Sequence, residues 1–163
     1  MIILIIGGSG SGKSEYAESL ALKLKKERVY YIATMMPFGE DSINRIKRHK
    51  KLRKGKDFIL IERYRDVGSI NIGDTIILEC LSNLLNNEYF GKESKGSDYI
   101  LRSINNIRCD NLIIVSNNIF EDGIIYDNDT KRYIEELSKL NIALANVADE
   151  VIEVVCGIPI KIK

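Results

Sequence analysis

Residues 7–14 read Gly7-Gly8-Ser9-Gly10-Ser11-Gly12-Lys13-Ser14, and this stretch decides the fold. It matches the pattern G-x-x-x-x-G-K-[ST] of a phosphate-binding loop. An apolar run at residues 2–6 comes directly before it. Apolar residues follow it at helical spacing, at Ala17, Leu20, Ala21 and Leu24. The sequence therefore predicts a strand, a turn and a helix, with the amino end of the helix facing bound phosphates.

Each residue type in this loop has a part in holding a triphosphate. The glycines let successive backbone N–H groups converge on phosphate oxygens, Lys13 can reach the β and γ phosphates, and the hydroxyl of Ser14 is a ligand for Mg²⁺. All eight residues are predicted nucleotide contacts: Gly7, Gly8, Ser9, Gly10, Ser11, Gly12, Lys13 and Ser14. A glycine-rich linker is the alternative, and the flanking strand and helix patterns argue against it.

Length and composition indicate one domain over residues 1–163, large enough to bury a core. The net charge of +1 singles out neither nucleic acid nor a membrane as a partner. The three cysteines are irregularly spaced, which excludes a disulfide framework and favours a reducing compartment. The apolar run at residues 2–6 is too short to span a bilayer. We therefore expect a cytoplasmic protein.

Short β-branched runs alternate with helical patterns along the chain. The predicted strands are residues 2–6, 29–33, 58–62, 75–78, 112–115 and 151–155. The predicted helices are residues 14–26, 41–53, 80–89, 97–108 and 129–148, and a polar loop is predicted at 91–98. This alternation predicts a single-domain α/β fold of the P-loop NTPase type, with a mostly parallel sheet flanked by helices.

Polar residues follow two of the predicted strands where the ligand cleft of such a sheet lies. Glu79 comes after residues 75–78, and a carboxylate in that position completes the Mg²⁺ site of many P-loop enzymes. The alternative is that Glu79 only ends the strand or caps the next helix. Ser116 and Asn117 follow residues 112–115, and we expect them to face the same cleft.

A basic segment surrounds the single histidine of the chain. Of residues 45–56, eight of twelve are lysine or arginine, and His49 lies among them with Arg45 and Arg53 one helical turn to either side. Imidazole is a competent nucleophile towards phosphorus, and flanking cations would neutralise the phosphate charge that repels it. The alternatives are a solvated helix face, an anion-binding patch and a nucleic-acid arm.

Several motifs together indicate a family. They are residues 6–14, the strand end at 31–34, the pattern R-I-x-x-H-x-x-x-R at 45–53, the turn at 78–81, and residues 115–117, 141–145, 148–151 and 157–159. With these motifs the chain resembles the bifunctional adenosylcobinamide kinase and adenosylcobinamide-phosphate guanylyltransferase family of cobalamin biosynthesis. The resemblance runs through nearly the whole chain, and the histidine motif is more specific than the loop alone.

The resemblance implies two reactions at or near one nucleotide site. ATP or GTP would phosphorylate adenosylcobinamide, and GTP would then guanylylate His49, which passes GMP to adenosylcobinamide phosphate. It implies that His49, Lys13 and Arg53 are catalytic and that Ser14 and Glu79 hold Mg²⁺. Beyond the loop, the implied nucleotide contacts are Thr34, Met35, Met36, Lys50, Lys51, Leu52, Arg53, Glu62 and Glu79. Either glutamate could instead accept hydrogen bonds from the guanine N1–H and amine. A homotrimer is implied as well.

The sequence departs from the family pattern in places that concern the acceptor rather than the nucleotide. Lys54 stands where a proline is common, Phe58 stands where a tryptophan is common, and the loop at residues 118–123 is altered. Two other functions remain open at this point. One is a plain P-loop small-molecule kinase without guanylyltransferase activity, and the other is a nucleotide-switched module that binds RNA or an acidic partner through the basic helix.

Overall fold

The computed structural model describes residues 1–119 and 126–163, without the side chain of Leu52. The strands are β1 Ile2–Gly7, β2 Val29–Ala33, β3 Phe58–Glu62, β4 Thr75–Glu79, β5 Asn111–Asn117, β6 Glu150–Val155 and β7 Ile158–Lys161. The helices are α1 Lys13–Leu24, α2 Gly39–Leu52, α3 Leu81–Tyr89, α4 Ser97–Asn106 and α5 Asn128–Val147, with a short 3₁₀ turn at Val67–Ser69.

The described strands form one sheet in the order β3-β2-β4-β5-β1-β6-β7. Every neighbouring pair is parallel except β6 and β7, which are antiparallel. The predicted α/β architecture with a mostly parallel sheet is therefore confirmed. Strand β7 was not predicted, because its four residues include Pro159 and all are exposed, as is typical of a short edge strand.

The sheet is buried on both faces, which explains why its strands are apolar almost throughout. Alternation along β1 sends Ile3 and Ile5 into the core beneath α1, and Leu4 into the core on the other face. The second core is filled by apolar residues of three helices, Leu81, Leu84 and Leu85 of α3, Ile100 and Ile104 of α4, and Leu137, Leu140 and Leu144 of α5. The helices thus cover the sheet on both sides.

Helix boundaries differ slightly from the predicted ones for local reasons. The loop predicted at residues 91–98 ends earlier, because α4 begins at Ser97, whose N–H and hydroxyl both donate to Glu136 at 2.8 and 2.7 Å. The same helix ends at Asn106 rather than at Arg108, because Arg108 forms a parallel bridge with Asn71. Of residues 118–123, which depart from the family pattern, residues 120–123 lie outside the described part.

The carboxyl ends of the central parallel strands meet at one edge of the sheet. Ala33 is paired with Glu79, and Gly7 with Asn117, so the residues that follow these strands are close in space. The carboxyl end of helix α2 reaches this edge, where His49 faces Glu79 and Arg53 lies over the ring of Tyr31. Within the described ranges, no helix is long and apolar enough to cross a membrane.

Candidate nucleotide and transfer site

The phosphate-binding loop connects β1 to α1 in a conformation that needs glycine at several positions. Gly10 and Gly12 have φ angles of +73° and +90°, which L-residues with a side chain rarely adopt. A Cβ on Gly7 would lie 2.6 Å from the carbonyl oxygen of Val154 and from the hydroxyl of Ser11. The loop is therefore fixed by backbone geometry as well as by its own sequence pattern.

The turn between β6 and β7 supports the loop from outside. The N–H of Gly157 donates to the carbonyl of Ser11 at 2.8 Å, and a Cβ on Gly12 would lie 3.1 Å from the Cα of Gly157. Gly157 itself has φ +81°. No sequence pattern assigned this turn a role in the site, and its only signal was that residues 157–159 belong to the terminal family motif.

Lys13 lies inside the loop. Its Nζ donates to the carbonyl of Gly8 at 2.8 Å, and its side chain is buried. Burial lowers the pKa of Lys13 below the ordinary 10.5, although the neighbouring Cys80 and Glu79 act in the opposite direction. A buried cation of this kind is set to meet phosphate oxygens, which would replace the carbonyl and restore its charge balance.

Glu79 is the centre of the site. It ends β4 and is only 8% exposed. Its Oε1 accepts a hydrogen bond from Ser14 at 2.7 Å and lies 3.6 Å from Nδ1 of His49, and its Oε2 accepts a short hydrogen bond from the hydroxyl of Tyr31. Burial and the charge of Glu79 raise the pKa of Tyr31, so this hydroxyl stays protonated and remains a donor. One carboxylate thus joins α1, α2 and β2.

Helix α2 is held against this centre by its last turn. Arg53 caps the carboxyl end of the helix, and its guanidinium lies 3.9 Å from the centre of the Tyr31 ring. On the sheet, the Tyr31 ring stacks on Phe58 with the ring centres 6.3 Å apart. Beyond the helix, Lys56 forms a short ion pair with Glu18 of α1. Because Nδ1 of His49 faces Glu79, the other ring nitrogen, Nε2, is the one left for a substrate.

Thr34 fastens the end of β4. Its N–H donates to the carbonyl of Glu79 at 2.9 Å, while its hydroxyl donates to the carbonyl of Cys80 at 2.8 Å and accepts from the N–H of Cys80 at 2.7 Å. The peptide bond between Glu79 and Cys80 is cis. The side chain of Asn87 in α3 donates to the carbonyl of Thr34 at 2.7 Å, so α3 is tied to the same corner.

The other predicted nucleotide contacts lie farther out. Lys50 pairs with Glu62 at 3.3 Å on an exposed flank of the sheet, Lys51 is exposed, and Met35 and Met36 line a separate cavity. Hydrogen bonds from Tyr64 and Lys50 lower the pKa of Glu62. Leu52 ends α2, and its side chain lies outside the described part of the structure.

The expectation that Ser116 faces the cleft is wrong. Ser116 is fully buried, and its hydroxyl donates to Asn141 of α5 at 2.7 Å, because the alternation of β5 points it to the same face of the sheet as Leu112 and Ile114. Asn117 is one residue farther along and donates to the hydroxyl of Ser82 at 2.8 Å. It therefore braces the start of α3.

Ser14 and Glu79 fit a magnesium ion as neighbouring ligands. Their oxygens are 2.7 Å apart, somewhat less than the roughly 3.0 Å expected between adjacent oxygens in an octahedron with Mg–O bonds of about 2.1 Å. In the part of the chain that is described, no group of three or more His, Cys, Asp or Glu side chains could hold a metal. This pair suits an ion that takes its remaining ligands from phosphates and water.

Comparisons with known proteins identify the family. The CobU family, described as cobinamide kinase / cobinamide phosphate guanyltransferase, matches residues 3–162. The chain belongs to this family. It is 30% identical over 184 residues to the "Bifunctional adenosylcobalamin biosynthesis protein CobU" of Escherichia coli (strain K12), with 100% of both chains covered. The protein of the same name from Salmonella typhimurium (strain LT2) is 31% identical, also over 100% of both chains.

The solved structures extend the likeness in fold. A "prototypical ATPase from the type III secretion system of pathogenic bacteria" has a TM-score of 0.54 and 11% identity, covering 93% of this chain and 50% of that chain. The predicted P-loop NTPase fold is thereby confirmed. Membership in the CobU family confirms the predicted class of enzyme, a kinase and nucleotidyltransferase of cobalamin biosynthesis.

Proposed function

We propose that this chain performs both reactions named by its family through one nucleotide site, with His49 as the nucleophile of the second. The observation that carries the proposal is the position of His49. Its Nδ1 lies 3.6 Å from the carboxylate oxygen that accepts the hydrogen bond of Ser14 in the phosphate-binding loop. A histidine that was only a surface residue of a basic helix would have no reason to meet that oxygen.

In the kinase reaction, the loop holds a nucleoside triphosphate and the γ phosphoryl group passes to the hydroxyl of adenosylcobinamide. Backbone N–H groups of residues 7–14 and Nζ of Lys13 hold the phosphates, and the amino end of α1 favours their negative charge. The P–O bond to the nucleoside diphosphate breaks as the new P–O bond forms. Electrostatic stabilisation of the transferring group is the main contribution of such a site.

In the guanylyltransferase reaction, Nε2 of His49 attacks the α phosphorus of GTP and pyrophosphate leaves. A phosphate oxygen of adenosylcobinamide phosphate then attacks the same phosphorus, the P–N bond breaks, and adenosylcobinamide-GDP is released with the imidazole restored. Glu79 holds the Nδ1 side of the ring and Arg53 neutralises charge on the phosphorus under attack. Splitting one exchange into two steps lowers each barrier.

We also propose Mg²⁺ as the metal, held by Ser14 and Glu79, where it would neutralise charge on the phosphates. The roles of Thr34, Glu62 and the lysines of α2 as nucleotide contacts belong to the same proposal.

A cytoplasmic homotrimer is proposed from the family resemblance. Exposed isoleucines on and beside β7, Ile158, Ile160 and Ile162, support an interface between copies, and light scattering would have to give three times the mass of one chain.

Labelling with GTP tests the covalent step. The wild-type protein incubated with GTP labelled at the α phosphorus and Mg²⁺ is expected to carry an acid-labile, base-stable label, as a phosphoramidate does. His49→Asn is expected to abolish the label, and Arg48→Asn, an exposed neighbour on α2, is the matched control that keeps it. A wild-type protein that takes no label while it transfers the γ phosphoryl group would reduce the function to a plain kinase.

A further inference from the structure

Glu18 is a buried carboxylate that the proposed reactions do not use. It lies on α1, and only 5% of its surface is exposed. Burying a carboxylate costs free energy unless its charge is paired. The ammonium of Lys56, from the segment between α2 and β3, donates a short hydrogen bond to Oε2 of Glu18 across 38 residues of sequence. The ion pair therefore holds the segment after α2 against α1.

Glu18 lies on the side of α1 that faces the nucleotide site. It follows Ser14 by four residues, which places both side chains on one face of the helix, and Ser14 donates to Glu79. Burial raises the pKa of Glu18 above the ordinary 4.5, and the charge of Glu79 acts in the same direction. Lys56 and Arg53 act in the opposite direction. Glu18 is thus within electrostatic range of both the carboxylate and the arginine of the site.

The turn after α2 connects this ion pair to the histidine. The N–H of Arg53 donates to the carbonyl of His49 at 3.2 Å, and the N–H of Lys56 donates to the carbonyl of Arg53 at 3.0 Å. Gly55 has a φ angle of +89°, which lets the chain change direction within this short turn. Because these hydrogen bonds leave little freedom between Lys56 and His49, fixing Lys56 also fixes the last turn of α2.

Helix α2 depends on such an anchor because it contributes little to the core. None of its described side chains is buried, whereas α1, α3, α4 and α5 each bury several. Packing of an apolar face supplies most of the stability of a helix in a protein. The position of α2 therefore relies on contacts near its carboxyl end, such as those of His49 with Glu79 and of Arg53 with Tyr31.

We infer that Glu18 is a positioning residue for guanylyl transfer, an inference that rests on the proposed function. Through Lys56 it holds the turn after α2 on α1, the helix whose amino end follows the phosphate-binding loop. One helix thereby fixes both the loop and the nucleophile, so that His49 and Arg53 stay beside the bound triphosphate. Transfer of the γ phosphoryl group does not use His49, so the kinase reaction needs the ion pair less.

Two rates measured on the full chain test this role. One is the labelling of His49 by α-labelled GTP, and the other is the transfer of the γ phosphoryl group to adenosylcobinamide. Glu18→Gln and Lys56→Gln each break the ion pair, whereas Lys56→Arg keeps it. Lys54→Gln removes an exposed cation from the same turn and is the matched control. Urea unfolding checks that each variant folds, and Lys56→Gln tests the pair from its more exposed side if Glu18→Gln does not fold.

Glu18→Gln and Lys56→Gln are each expected to take the label about tenfold more slowly, because a displacement of about 1 Å at a reacting group can cost up to roughly 10²-fold. Both are expected to phosphorylate adenosylcobinamide within about twofold of the wild-type rate, since the phosphate-binding loop is untouched. The double variant is expected to be no slower than either single variant, because both substitutions remove the same contact. Lys56→Arg and Lys54→Gln are expected to take the label at nearly the wild-type rate.

Unchanged labelling in Glu18→Gln and Lys56→Gln overturns the inference. An equal loss in both reactions also overturns it, because the ion pair would then serve only the stability of the fold. Both of these outcomes require a wild-type protein that takes the label. A wild-type protein that takes no label overturns the proposed function, and this inference with it.

Discussion

Nδ1 of His49 lies 3.6 Å from Oε1 of Glu79, the same oxygen that accepts the hydrogen bond of Ser14 at 2.7 Å. The basic helix α2 and the phosphate-binding loop before α1 therefore share one carboxylate. Any ligand that engages the hydroxyl of Ser14 alters the partner of His49. Nucleotide binding and the position of the nucleophile are coupled through a single residue of β4.

Glu79→Gln is expected to lower the rate of guanylylation of His49 by about 10²-fold, because an amide neither compensates an imidazolium nor serves Mg²⁺ as a charged ligand. The rate is measured with α-labelled GTP over a range of Mg²⁺ concentrations, where the variant is also expected to need more Mg²⁺. Glu93→Gln, an exposed glutamate of the loop before α4, is the control. An unchanged rate at every Mg²⁺ concentration would show that Glu79 serves neither purpose.

Tyr31 makes two different contacts in the site: its hydroxyl donates to Glu79, and its ring contacts the guanidinium of Arg53. Substitutions at Tyr31 can therefore distinguish the two contacts. Tyr31→Phe is expected to keep the aromatic ring on which Arg53 lies. It is expected to lower the free energy of unfolding by about 1.5 kcal/mol, because Glu79 loses a hydrogen-bond donor. Tyr31→Leu is expected to slow guanylylation as much as Arg53→Gln does. The double variant Tyr31→Leu/Arg53→Gln is expected to be no slower than either single variant, and strict additivity of the two effects would contradict the contact.

Part of this site could be predicted because it is local in the sequence. The loop at residues 7–14 carries its own turn chemistry, and Glu79 follows a strand whose carboxyl end had to lie beside it in any parallel sheet. His49 was singled out by its motif, but its contact with Glu79 depends on how α2 crosses the sheet edge. The sequence pattern of α2 does not determine where the helix crosses the sheet edge, because this position depends on contacts with Tyr31 of β2 and Phe58 of β3.

Other parts depend on contacts between distant segments, and the sequence alone did not predict them. Gly157 supports the loop from 146 residues away, through a hydrogen bond to Ser11, because β6 happens to be the neighbour of β1. The cavity next to Met35 is lined by residues of both α2 and α3, which lie far apart in the sequence. The orientation of Ser116 could have been predicted from the sequence, because the alternation that buries Leu112 and Ile114 also points Ser116 away from the cleft.

Gly7 and Gly8 give a matched test of how the loop is packed. A Cβ on Gly7 would lie 2.6 Å from the carbonyl oxygen of Val154, whereas a Cβ on Gly8 would have no atom within 4 Å. Gly7→Ala is expected to destabilise the protein by about 2 kcal/mol, since β6 must move, and Gly8→Ala by less than about 0.5 kcal/mol. Urea unfolding measures both. Equal losses in the two variants would contradict the close approach of β6.

Asp74 is a structural carboxylate at the opposite edge of the sheet, just before β4. It is buried and accepts hydrogen bonds from four backbone N–H groups, those of Lys26, Glu27, Arg28 and Thr75, at 2.8 to 2.9 Å. Burial raises its pKa, but these donors outweigh burial and bring the pKa from the ordinary 3.8 to about 2. The carboxylate thus holds the end of α1 and the start of β2 onto β4.

Because the pKa of Asp74 is lower in the folded protein, its contribution to the free energy of unfolding is complete above its ordinary pKa of 3.8 and is lost as the pH falls towards 2. A pKa lowered from 3.8 to about 2 corresponds to a contribution of roughly 2 to 3 kcal/mol, at about 1.4 kcal/mol for each pKa unit. In urea unfolding between pH 6 and pH 2, Asp74→Asn is expected to be less stable than the wild type at pH 6 and to lack this pH-dependent part of the free energy of unfolding. Asp57→Asn, an exposed control, is expected to keep it. A wild-type pH dependence in Asp74→Asn would assign the acid sensitivity to other carboxylates.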